Sequence, residues 1–169
     1  MNEKVRLGYA CVNMTLTNRP NKLGGRVTTS RTARKATWQN GSEDSKDWDL
    51  HLLGERTSLN ANDLLHYLKW NNEHKITLFR IGSELFPWHD HYELCELPQF
   101  KDISAKLMEC GEYAREHGIR VTTHPGPFNV LGSPNPEVVR RTIISLERHS
   151  EVFDLMGFEP SFENKINIH

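Results

Sequence analysis

A chain of 169 residues, 37% of them apolar and 25% charged, is long enough for one domain with a real core and has the composition of an ordinary soluble protein, not of a disordered or fibrous one. Its 21 basic and 22 acidic side chains leave a formal charge of −1, which argues against a uniformly basic nucleic-acid binder. There is no run of about 18 apolar residues for a membrane span, the start MNEKVRLGYA lacks the apolar stretch of a signal peptide, and the scattered Cys11, Cys95 and Cys110 make neither a disulfide framework nor a cysteine zinc site.

In chain order, VRLGYAC (residues 5–11) opens as a strand. A segment at about 17–57, rich in Thr, Asn, Gly and Arg, has no sustained apolar period and reads as a long loop. Arg19, Lys22, Arg26, Arg31, Arg34 and Lys35 fall in it with no acidic residue between them. They form either a solvated surface loop or an arm whose guanidiniums meet phosphates. A helix follows on the spacing of Ala61, Leu64, Leu65 and Leu68, with a cap at Ser58 or Asn60. KITLFRIG (75–82) is a second strand, and Ile103, Leu107, Cys110 and Ala114, beyond Pro98, mark a second helix. IRVTTHP (119–125) is a third strand. The third helix has Asn135 as N-cap, Pro136 at its first position, an apolar line through Val139, Ile143, Leu146 and Phe153, and Gly157 just past its end. KINIH (165–169) is a fourth strand.

Alternating units of this kind build a parallel sheet with helices outside it, as an open doubly wound sheet or as a barrel. The first strand leads into a basic loop without a G-x-G-x-x-G, which disfavours the dinucleotide fold. Polar residues gather where strands end: Tyr9 and Asn13, Arg80 and Ser83, His124, His169. Barrel enzymes assemble their chemistry on that face, so the expectation is a TIM-type (β/α)8 barrel of which residues 1–169, a single domain, supply the first four βα strands.

The histidines divide by position. His51, His66, His74, His117 and His149 lie in helices, helix ends or loops with no ligand at short spacing, and read as solvated or capping groups. His124 and His169 each end an apolar strand, and His89, Asp90 and His91 stand just beyond another. Neighbouring parallel strands lie about 5 Å apart, so such histidines can share a metal; buried, hydrogen-bonded histidines are the alternative. Two histidines do not hold a catalytic metal firmly, and a carboxylate from elsewhere is needed.

The segments RLGYACVNMTLTNR, LFRIGSELFPWHDH, GEYAREHGIRVTTHPGPFNVLGSPNPEVVRRTI and INIH, in that order, resemble the UV-damage endonuclease family over nearly the whole chain. The resemblance implies a (β/α)8 barrel similar to endonuclease IV that nicks DNA 5′ to ultraviolet photoproducts with divalent metal ions, commonly Mn2+. It implies metal-ligand roles for His124 and His169, a catalytic role near the reacting phosphate for His91, and lesion or DNA contacts for Tyr9, Asn13 and Arg19. Where the family commonly carries Gln-Tyr after H-P-G, inserted opposite the damage, this chain has Pro127 and Phe128. An aromatic wedge is kept and a hydrogen-bonding amide is lost.

The remaining ligands of the family come from strands five to eight, so the expected partners are double-stranded DNA carrying photolesions and the missing C-terminal half of the barrel, with no membrane. A cytoplasmic, nucleoid-associated enzyme, inactive as this piece alone, is the expectation. Two other readings stay open: a different metal-dependent barrel enzyme, such as an apurinic-site endonuclease or a sugar isomerase, and a non-catalytic DNA-damage binding module.

Overall fold

Pleating sorts the side chains of three short strands onto two unlike faces. In the computed structural model, which describes residues 5–18, 26–34 and 49–168, β1 (Gly8–Ala10), β2 (Leu78–Ile81) and β3 (Arg120–Thr123) form a parallel sheet in chain order. Tyr9 is in register with Phe79, and Ala10 with Arg80 and then Thr122. Tyr9, Phe79 and Val121 point toward the helices, and the Tyr9 ring lies 5.1 Å from Phe79 and 6.5 Å from Trp70. Gly8, Ala10, Leu78, Arg80 and Thr122 face a hollow on the other side.

The strands are shorter than the apolar runs suggested. Cys11 enters the left-handed region at φ 63° and turns the chain out of β1, and Lys75 does the same at φ 59° before β2. Residues 165–169 were expected as a full fourth strand. Among the described residues, 165–168 contribute a single parallel bridge, Ile166 beside Thr123, in which the Thr123 N–H donates to Lys165 O (3.1 Å) and the Asn167 N–H to Thr123 O (2.8 Å).

A helix follows each strand. Beyond the single turn α1 (Met14–Thr17), α2 (Leu50–Glu73), α3 (Phe100–Glu116) and α4 (Pro136–Leu155) alternate with the sheet, as the βα pattern requires. The core lies between sheet and helices, with Leu53, Leu64, Leu68, Phe79, Leu107 and Val121 fully buried. Among the described residues no helix is long and apolar enough to cross a membrane.

α2 begins well before the cap expected at Ser58 or Asn60. Asp49 is its N-cap, accepting from the Leu52 N–H at 2.9 Å, so residues 50–57 belong to the helix and not to the loop. The apolar period hid this start because α2 buries polar groups: Thr57, Asn60, Asp63 and Asn71 all lie inside. At Gly54, in the first turns, the end of the flexible Gln99 side chain lies where a Cβ would stand.

Asn60 and Asp63 fasten the basic segment to the helix. The Asn60 side chain accepts from the Arg31 N–H (2.8 Å) and donates to the carbonyls of Arg31 (3.0 Å), Glu84 (3.1 Å) and Leu85 (3.2 Å). Asp63 accepts from the Thr28 N–H (2.9 Å) and pairs with the Arg31 guanidinium at 2.6 Å. The segment 26–34 is thereby laid against both α2 and the loop that leaves β2.

α4 starts and stops where the sequence indicated, with Asn135 accepting from the Glu137 N–H (3.0 Å) and Gly157 at φ 67°. Its buried face follows the anticipated apolar line only in part, with Phe153 buried and Val139 and Leu146 half-buried. Ile143 is 45% exposed, whereas Thr142, Ser145 and His149 are buried with Val152 and Phe153.

Asn60→Ala leaves one N–H and three carbonyls without that amide and is expected to lower stability by about 2–3 kcal/mol. Urea unfolding should show a lower midpoint at unchanged slope, while Asn62→Ala on the exposed side of α2 shifts it by less than about 0.5 kcal/mol.

Candidate functional site

The strand ends meet on one side of the sheet. β3 runs directly into His124, whose Nδ1 lies 3.0 Å from Pro125 O and whose Nε2 lies 3.0 Å from Cys11 Sγ. That network assigns the imidazole proton to Nδ1, donated to the carbonyl, and leaves the lone pair on Nε2. Burial pushes the Cys11 thiol up, against the opposing charge of Arg80, so the thiol is a neutral donor toward Nε2.

The loop after β2 turns sharply at Trp88, a left-handed residue at φ 57°, ψ 30°. Its indole N–H donates to Ala33 O at 2.9 Å, tying the basic segment to this turn. The next three residues, His89–His91, form one turn of 3-10 helix and divide their work. His89 points inward, with Nδ1 3.1 Å from Phe86 O and Nε2 3.2 Å from Ser145 Oγ, and meets the His149 ring edge-on at 5.0 Å. His91 points outward: its side chain is 33% exposed, its Nε2 is 3.7 Å from Asp90 Oδ1, and its ring is 6.0 Å from Trp88.

His149 was read as a solvated or capping group, and the structure corrects this. It is 5% exposed, and its Nδ1 lies 3.2 Å from Thr123 Oγ1. Burial, followed by the neighbouring His89 and His124, holds it down at about 3. Burial likewise lowers His89. Both imidazoles are therefore neutral near pH 7 and act as hydrogen-bonding parts of the support beneath the strand ends. The spacing of Thr142, Ser145 and His149 on one helical face was the available signal.

Tyr9 and Asn13 lie on the helix side of the sheet. The Tyr9 hydroxyl donates to Asn71 Oδ1 (2.8 Å) and accepts from Asn13 Nδ2 (2.9 Å), and burial pushes its pKa up to about 12. Asn13 caps α1 by accepting from the Leu16 N–H (3.0 Å), while its own N–H donates to the Tyr67 hydroxyl (3.3 Å). Both residues hold the chain that leaves β1. Arg80, expected at a strand end with Ser83, stands within β2 on the inner face.

Pro127 and Phe128 project from the loop after β3, with Phe128 88% exposed. The loop is closed by the Asn129 N–H and side-chain amide on Gly126 O (3.2 and 2.9 Å) and tied to α4 by the Val130 N–H on Thr142 Oγ1 (3.0 Å). Between this loop, the His89–His91 turn, Ala33 and Arg34, and the first turns of α4 lies a groove of about 770 Å3. Trp88 and Phe128 give it aromatic surface, Arg34 and Arg141 positive charge, and Glu84 and Asp90 negative charge. The Glu84 carboxyl is raised by desolvation and by Asp90.

Two named candidates, Arg19 and His169, and the loop residues Lys22 and Lys35 lie outside the described residues. Among the described residues no group of three or more His, Cys, Asp or Glu side chains is placed to hold a metal ion. His124 fits as one ligand: its Nδ1 is fixed by a carbonyl, the usual orientation for a metal-binding imidazole, and its Nε2 faces another donor atom.

The family model described as UV-endonuclease UvdE matches residues 5–169. The UV-damage endonuclease of Neurospora crassa is 35% identical over 187 residues, covering 96% of this chain and 27% of that protein. The UV DNA damage endonuclease of Clostridium perfringens is 32% identical over 165 residues, 98% of this chain and 35% of that one. The crystal structure of SacUVDE superposes with a TM-score of 0.75 at 30% identity, covering 98% of this chain and 49% of that chain. The chain thus spans between about a quarter and a half of the length of these relatives.

Below pH 6.5, the ordinary histidine value, the unfolded chain binds a proton that His149 in the fold does not take up until about 3. The stability this residue confers is complete above pH 6.5 and is lost as pH falls toward 3, by at most about 1.4 kcal/mol per unit. Urea unfolding of the parent chain and His149→Leu between pH 4 and 7 should show the shallower pH dependence in the variant; parallel curves would show that His149 titrates normally.

Proposed function

The chain belongs to the UV-endonuclease UvdE family, and from that membership we propose that it forms the first half of a (β/α)8 barrel that nicks DNA on the 5′ side of ultraviolet photoproducts. The observation that carries this reading is one groove on which Arg34, the His89–His91 turn and the exposed Phe128 converge beside the strand ends. A photoproduct weakens stacking and pairing, so unstacking the duplex costs least where damage already lies. Phe128, backed by Pro127, is the wedge that enters there.

Arg26 and Arg34, with Arg19, hold the phosphates of the strand, and affinity falls as salt rises. Arg31 contributes little to this, because its guanidinium is paired with Asp63 at 2.6 Å. Tyr9 and Asn13 act from beneath, keeping α1 and the DNA-facing loop in place through the bonds Asn13 makes to Tyr9 and Leu16.

His124, through Nε2, and His169 are the residues of this chain that would hold a divalent cation, Mn2+ on the family likeness. Such a cation supplies a bound water that ionises near neutral pH and charge to offset that of the phosphate. His91, outward-facing beside Asp90, holds or donates a proton at its imidazole close to the reacting phosphate. The remaining ligands are assigned to the other half of the barrel, so this chain alone binds damage without cutting. A non-catalytic damage-binding module is the second reading, favoured by the absence of a three-donor cluster among the described residues.

Gel shift and nicking assays on irradiated and untreated duplex with Mn2+ test the proposal. The chain is expected to prefer irradiated DNA and to leave it uncut, and Phe128→Ala to reduce the preference about tenfold, the value of one aromatic stack. Joined to the rest of a family barrel it should nick, and His124→Ala should abolish nicking while binding persists. Nicking by the chain alone would refute the half-barrel assignment; a joined barrel that binds but never cuts would establish the second reading.

A further inference from the structure

The inner face of the sheet carries a guanidinium that has no counter-ion among the described residues. Arg80 stands within β2 between Ala10 and Thr122, partly exposed, and lines a hollow of about 350 Å3 with Leu78, Arg120 and Lys165. Among the described residues no carboxylate lines that hollow. Arg120 is neutralised by Glu163, Nε to Oε2 3.3 Å, and donates to the carbonyls of Glu163 (2.8 Å) and Phe162 (2.7 Å). The side chain of Arg80 has neither a hydrogen bond nor an ion pair among the described residues.

A partly buried charge left unpaired is unfavourable, and folds that keep one supply a partner for it. Three occupants could do so. A duplex lying across the strand ends is a poor match, because the hollow that Arg80 lines runs back along the sheet to Gly8, Leu78 and Arg120, the first residues of the three strands. A second copy of this chain would set Arg80 and Lys165 against another Arg80 and Lys165. A run of strands bearing a carboxylate at the same layer supplies the opposite charge and covers the open face, in the layered manner of barrel interiors.

We propose that the inner face of this sheet is an interface for a distinct strand-bearing polypeptide segment, which Arg80 selects by pairing with a carboxylate at its layer. This rests on the barrel reading above and adds the charge the other half must carry, and it excludes closure by two copies of this chain.

Four measurements test it. In the chain alone, Arg80→Met is expected to leave the melting temperature unchanged or raise it by up to about 4 °C, because no pair is broken; a fall of that size would mean Arg80 already has a partner. Light scattering should find no dimer that Arg80→Met dissociates, and finding one would replace the proposal with self-closure. The part of the Clostridium perfringens endonuclease outside its match to this chain, co-expressed as a separate polypeptide, should co-purify with the parent chain and with the surface control Lys75→Glu. Its recovery should fall at least tenfold with Arg80→Glu. Equal recovery with Arg80→Glu, or none with the parent chain, overturns the proposal. Binding of irradiated duplex by the chain alone should be unaffected by Arg80→Met, and a loss would make phosphate the ligand. Duplex binding absent from every variant would count against the functional reading and not against the interface.

Discussion

Four elements meet on Thr123. Its hydroxyl donates to Ile81 O at 3.3 Å and accepts from His149 Nδ1 at 3.2 Å, joining the end of β3 to β2 and to α4. Its own N–H and carbonyl take Lys165 O and Asn167 N, the only rungs to the strand-like segment at Ile166 among the described residues. The next residue is His124, so the position of that imidazole follows from bonds made one residue earlier. A short strand of four residues has little ladder of its own, and such side-chain bonds inside a low-dielectric core are stiff because no water competes for them.

Neutrality is the condition for this arrangement. A charged His149 would face the imidazoles of His89 and His124, and burial depresses both His149 and His89, at His89 against the opposing charge of Asp90. Charge is instead kept at the surface of the groove, where Arg34, Arg141, Glu84 and Asp90 stand. The count of basic residues in the arm overstates what is left for a phosphate, since Arg31 is spent on Asp63 and on the carbonyl of Thr28. The same pair explains why a segment with no apolar period is nevertheless ordered along 26–34: it is held by buried polar groups of α2.

What the sequence made legible follows the same division. Strands built on apolar alternation and a helix with an N-cap, a first-turn proline and a terminal glycine were readable, because each signal is local. The first turns of α2 and the buried face of α4 were not, because both bury polar side chains whose partners lie about 25 to 60 residues away in the chain, as in Asn60 to Arg31 or Ser145 to His89. Periodicity therefore favoured Ile143 over Thr142 as the inward residue. His149 was misread for the same reason, since its partner Thr123 belongs to another element. The strand-end His124 and the His89–His91 turn were readable from their places after apolar runs, whereas a catalytic part for His91 and a wedge at Phe128 came from a likeness of motifs, since no local periodic signal distinguishes them.

If a Gln-Tyr pair stands at this place in the family, as the motif resemblance implies, Pro127 and Phe128 exchange bonding for rigidity. Proline fixes its own φ and removes one donor, and the turn around it is closed twice on Gly126 O and anchored to α4 through Thr142. A large ring 88% exposed to water on so constrained a loop has little conformational freedom left to lose on contact. On the proposed function, insertion beside a weakened base step would gain stacking at small entropic cost, without the sequence-reading bond that an amide would add. Such a wedge responds to how easily the duplex opens, the property in which damaged and intact DNA differ most.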